Sequence, residues 1–132
     1  MLHENCLPGS PADWVRHAYS DLALSRAKEL SDNILLEELC FHAQQSAEKS
    51  LKGLLVAKGI PFPKTHNIRT LLDLLPEDIT VPSEVEEAAI LTDYAVMSRY
   101  PGTLEPVDEK EYRKALELAE LVLHWVEKII QQ

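Results

Sequence analysis

Apolar positions recur at intervals of three and four residues over most of this chain. No segment alternates apolar and polar residues between hairpin turns, so the pattern predicts helices and no sheet. The clearest stretch runs from Leu36 to Lys58, which has no proline and is rich in Ala, Leu, Glu, Gln and Lys. It predicts a helix of about six turns. Leu36, Leu39, Cys40, Ala43, Ala47, Leu51, Leu54 and Leu55 share one side of its wheel, a stripe for the core. His42, Gln45, Lys49 and Lys52 make a polar, positive stripe on the other side. Gly59 is placed to cap the helix in the left-handed conformation, and Pro61 and Pro63 stop it.

The flanking segments follow the same logic. Ser10, Pro11 and Asp13 open a helix expected to reach about Leu30, with Trp14, Val15, Ala18, Tyr19, Leu22 and Leu30 inward. Asp13, His17 and Asp21 fall on its solvent side; with no further ligand nearby they read as a solvated face rather than a metal site. Thr65 caps a short helix from His66 to Leu75, and Ser83 with Glu86 forms a capping box for a helix to Met97. Arg99, Tyr100, Pro101 and Gly102 make a turn, and Asp108 with Glu111 starts the last helix. That helix carries Tyr112, Ala115, Ala119, Val122, Val126 and Ile129 on one seam. Leu123, Trp125 and Ile130 are apolar positions outside the seam, and His124 is expected to pack beside Trp125. The expected architecture is an antiparallel up-and-down bundle of four main helices plus a short helix. It forms one domain over residues 1–132, with residues 1–9 as a mobile N-terminus.

Charge changes this picture only locally. The net charge of −9 excludes a general polyanion-coating protein. Between His42 and Thr70, however, Lys49, Lys52, Lys58, Lys64 and Arg69 stand against the single acid Glu48. A local cationic segment on an acidic body suits one particular anion, such as a nucleotide or an RNA phosphate. No apolar run has the length of a membrane span and the start lacks a secretory signal, so a cytoplasmic location is expected and no membrane partner. Cys6 and Cys40 form neither a ligand set nor a disulfide framework, and Cys40 reads as a small core residue.

The chain has no phosphate loop, no zinc-spaced cysteine pair, no metalloprotease motif and no nucleophile elbow, and neither cofactor nor metal is expected. The residues left with chemistry sit at element junctions: His42, Lys49, Lys52, Lys64, His66 and the Arg99 turn. Four stretches together resemble the HEPN domain family: DWVRHAYSDLALSRAKEL, FHAQQSAEKSLKGLL, KTHNIRTLL, and SRYPG before EYRKALELAELVLHWV. The resemblance spans Trp14 to Ile130 and implies a helical bundle linked to nucleotide and RNA chemistry. It also implies a homodimer, to which the off-seam Leu123, Trp125 and Ile130 give modest support, and a minimal nucleotidyltransferase as partner in a toxin and antitoxin pair. Many members are metal-independent ribonucleases that use an arginine followed, about four to six residues on, by a histidine that exchanges protons. Here Arg99 is followed by Tyr, Pro, Gly, Thr, Leu, Glu and Pro, so the pair is not intact. Arg99, His66 and His42 are the candidates for catalysis. The binding set expected is Arg99 and Tyr100 as phosphate grip and stacking ring, with Lys49, Lys52 and Lys64 for attraction. A helical surface that only masks a partner protein is the remaining reading.

Overall fold

The computed structural model describes residues 6–97 and 106–132, and among these there is no strand. The bundle has α1 (Pro11–Ser25), α2 (Leu36–Ala57), α3 (Ile68–Asp73), α4 (Ser83–Glu87), α5 (Tyr94–Met97) and α6 (Glu109–Ile130). Two 3₁₀ segments, Ala27–Leu30 and Ala88–Asp93, lie after α1 and between α4 and α5. Helix α2 is the central element, packed along α1 on one side and α6 on the other. Its predicted apolar stripe is buried from Leu39 to Leu55, Cys40 included, and Leu36 packs at its edge. Gly59 adopts φ 70°, as a left-handed cap requires. Opposed contacts between Trp14 and Gly53, and between Ala18 and Ser46, show that α1 and α2 run antiparallel.

Several boundaries differ from those the periodicity predicts, each for a local reason. Helix α1 stops at Ser25 because the Tyr112 hydroxyl donates to the Ser25 carbonyl at 2.7 Å, taking the acceptor that the next helical turn needs. Leu30 is consequently turned out and is 81% exposed, not in the core. Asn67, not Thr65, caps α3 by accepting from the Thr70 amide. Thr65 instead accepts from the Asn67 amide one step earlier. No capping box forms at α4: Pro82 is the N-cap and the Ser83 hydroxyl donates to Glu84. Asp108 does cap α6, accepting from the Glu111 amide at 2.7 Å. Leu123 is fully buried and belongs to the core, while His124 is exposed rather than packed beside Trp125.

The stretch predicted as one helix from Ser83 to Met97 is broken by the 3₁₀ turns. Val85, Ala88, Leu91 and Tyr94 are buried, and Glu84, Glu87, Ile90, Asp93 and Val96 are exposed. Each row steps by three residues, as the 3₁₀ geometry requires. Sequence periodicity of 3.6 cannot reveal such rows.

Burial sets the alkaline limit of the fold. It pushes the Cys40 thiol from 9.0 up to about 12, with Glu111 adding to the effect. Burial first, and then the hydrogen bond to Glu127, raises the Tyr19 hydroxyl from 10.0 to about 12. Both groups are neutral when protonated, so their contribution to stability is complete below the unfolded values and is lost as pH rises through the folded ones. Chemical denaturation midpoints measured from pH 8 to 11 are therefore expected to fall from about pH 9 upward. A flat profile over that range contradicts the assignment.

Candidate functional site on the second helix

The polar stripe of α2 is held by buried acids. Asp21, expected on the solvent side of α1, is buried against α2, where it accepts from Lys49 at 2.6 Å and lies 3.0 Å from His42 Nδ1. His17 does remain exposed, whereas Asp13 is partly covered and accepts from Arg16 at 2.8 Å. On the other flank of α2 the Glu48 carboxylate, its side chain only 4% exposed, accepts from Lys52 at 2.9 Å and from Gln44 at 2.9 Å, and faces His66 Nδ1 at 2.9 Å. Gln45 donates to Gln44 at 2.7 Å and joins this cluster. Lys52 lies 5.7 Å from the centre of the Phe62 ring, and Phe62 meets Trp14 edge to face.

The stripe is thus acid-paired and partly covered, not a solvated row of cations. Two buried carboxylates demand nearby donors, because leaving a charge unpaired in low dielectric costs several kcal/mol. The layering has a chemical consequence. Acids form the inner layer, and the atoms nearest solvent belong to His42, Lys49 and His66, the last 66% exposed. With Nδ1 of His66 turned to Glu48, its Nε2 is left for solvent or a ligand.

His66 also lines a groove of about 620 Å³ between Thr65–Asn67 and Thr92–Val96. The two walls are tied by the Ile68 amide, which donates to the Thr92 hydroxyl at 3.0 Å. Lys64 is exposed on the loop leading into this groove. The structure therefore groups Lys52 with His66 on Glu48, and His42 with Lys49 on Asp21, as two neighbouring sets. Arg99 and Tyr100, the expected phosphate grip and stacking ring, lie outside the described residues. No group of three or more metal-binding side chains occurs among the described residues.

Sequence reasoning missed Glu48, Asp21 and Gln44 as parts of this cluster. Glu48 carried a signal, since it is the sole acid in the cationic segment and stands four residues before Lys52, the favourable order on a helix. Asp21 carried none, because its role depends on how α1 is rotated against α2.

Among the described residues, fold and site together define an all-helical bundle with a polar site carried on its second helix. A model of the HEPN domain matches residues 12–129. TT1696 from Thermus thermophilus is 34% identical in sequence, and its crystal structure superposes with a TM-score of 0.76 over 91% of this chain and 98% of that one. The archaeal HEPN homologue ST0689 is 30% identical, with a TM-score of 0.73 over 92% of this chain and 98% of its own. Comparison with functionally curated proteins gave no match. The chain belongs to the HEPN domain family, a family generally related to nucleotides and RNA. Among the described residues no helix is long and apolar enough to cross a membrane.

Proposed function

We propose that the chain is a nucleotide- or RNA-phosphate-binding module that acts in the cytoplasm as a homodimer, with a minimal nucleotidyltransferase as its partner in a toxin and antitoxin pair. The observation that carries the binding reading is the layered charge on α2, where buried Asp21 and Glu48 hold an outer layer of nitrogen donors. Donors fixed this way are pre-organised for an oxyanion, which lowers the entropy lost on binding. Arg99 supplies the bidentate phosphate contact in this reading, Tyr100 the stacking ring, and Lys64 long-range attraction. The partner rests on family membership, and the dimer on family membership with the half-buried Trp125 and Ile130 of α6. Titration calorimetry with a mononucleotide and with a short RNA tests the binding reading. Arg99→Ala and Lys49→Ala are each expected to weaken affinity about tenfold or more. Unchanged affinity in both variants removes the proposed grip.

A second reading is favoured by one contact. Glu48 at 2.9 Å from His66 Nδ1 is the arrangement that orients a histidine for proton transfer. In this reading the protein is a metal-independent endoribonuclease, and purified protein cleaves RNA in the presence of chelator. His66→Ala and Arg99→Ala then each lower the rate about 100-fold or more. Intact RNA after prolonged incubation with folded protein rejects it.

A further inference from the structure

The groove beside His66 has features that phosphate binding alone does not use. One wall offers donors: the outer nitrogen of His66, and the side-chain amide of Asn67, whose oxygen is already engaged by the Thr70 amide at 3.2 Å. The other wall offers an acceptor. Asp93 is exposed, and among the described residues its carboxylate makes no hydrogen bond or ion pair. Between them Ala95 and Val96 give apolar surface, with Val96 51% exposed. The volume, about 620 Å³, is in the range of small-ligand sites.

A carboxylate without a cation among the described residues, set across a groove from nitrogen donors, fits an occupant with three parts: an oxyanion, a flat apolar body and an edge bearing hydrogen-bond donors. Nucleotides have the first two. The third separates the bases. Guanine presents N1–H and the 2-amino group side by side in the ring plane, which matches the two oxygens of a carboxylate. Adenine and cytosine each place a ring-nitrogen acceptor beside the amino group, and uracil flanks its single N–H with two carbonyls, so each sets a lone pair against the carboxylate. Lone pairs left facing one another in a partly desolvated groove cost affinity.

Building on the nucleotide-binding reading above, we propose that this groove is a guanine-selective site in which Asp93 accepts from the base edge while His66 and Asn67 donate to phosphate or sugar oxygens. The bound species is a free guanine nucleotide or an unpaired guanosine of an RNA strand. The 3₁₀ row makes Asp93 the selector, because it places this residue on the exposed ridge with Ile90 and Val96.

The test is titration calorimetry of the full chain with GMP, IMP, AMP and ribose 5-phosphate, repeated with Asp93→Asn, alongside two short RNAs that differ by one guanosine. The expected result is GMP tighter than AMP by about 10- to 100-fold, with IMP between them because it lacks the 2-amino group. Asp93→Asn is expected to erase that preference while leaving ribose 5-phosphate affinity within about twofold. A guanosine-dependent gain only in the RNA arm assigns the site to the strand; a gain with GMP assigns it to the free nucleotide. Equal GMP and AMP affinities in the unaltered protein, with ribose 5-phosphate still bound and no guanosine-dependent gain with RNA, overturn the guanine assignment and leave the nucleotide reading standing. No binding of any phosphate compound by the folded protein overturns both.

Discussion

Glu48→Ala is expected to be the most damaging single substitution in the polar site, lowering unfolding free energy by about 3–5 kcal/mol. The reason is that Lys52 and Glu48 are both buried, with side chains 10% and 4% exposed, and meet at 2.9 Å. Removing the acid leaves the ammonium in a poorly solvated place, with the Phe62 ring 5.7 Å away as a weak substitute. It also takes one of the two acceptors of the buried Gln44 amide, leaving that group the His66 carbonyl, and removes the carboxylate that faces His66 Nδ1. Thermal unfolding should shift down by about 10 °C or more. The double variant Glu48→Leu, Lys52→Met separates charge from volume, because replacing a buried pair by apolar side chains is often neutral. It should regain most of the loss. If Glu48→Ala costs less than about 1 kcal/mol, the carboxylate is not the anchor of this cluster.

Gly53→Ala should run against helix propensity. Alanine in the interior of an isolated helix is better than glycine by about 1 kcal/mol. In this bundle, though, a Cβ at position 53 would lie 2.9 Å from Trp14 Cβ and 3.5 Å from the Pro11 carbonyl oxygen. Trp14 Cβ is fixed to the backbone and cannot swing away, so α1 must move off α2. Overpacking of this kind costs about 1–3 kcal/mol, enough to cancel the propensity gain and leave a net loss. Gly53→Val, which adds two further methyl groups at the contact, should lose clearly more than Gly53→Ala. Denaturant titrations of both variants give the sign. A Gly53→Ala protein more stable than the parent would mean that α1 does not approach α2 at this turn.

These two positions also show what the sequence carries and what it conceals. The apolar stripe from Leu39 to Leu55, the stop at Gly59 and the Asp108 cap were all legible, because each depends on neighbours within a few residues. The end of α1 was not, since it depends on Tyr112 reaching Ser25 from 87 residues away. The same holds for the candidate site. His42, Lys49, Lys52 and His66 stood out by residue type and spacing, whereas Asp21 looked like surface until α1 was seen turned toward α2. Charge patterning reported the cations of this segment and said little about the acids that hold them. Leu123 misled in the opposite sense, since an off-seam position on α6 is fully buried.

The 3₁₀ segment Ala88–Asp93 has a mechanical side. At a rise of about 2.0 Å per residue its six residues extend about 12 Å, where an α-helix of the same residues would extend about 9 Å. The two forms also wind differently, by about 120° against about 100° per residue, so over the five steps from Ala88 to Asp93 they diverge by about 100°. Rewinding this segment would draw Val96 back by about 3 Å and swing Asp93 off its ridge, and it would also turn buried Ala88 and Leu91 out of their packing against the long helices. In this short, tightly wound stretch advance and rotation are locked to each other, and the buried row of Ala88, Leu91 and Tyr94 holds both in place.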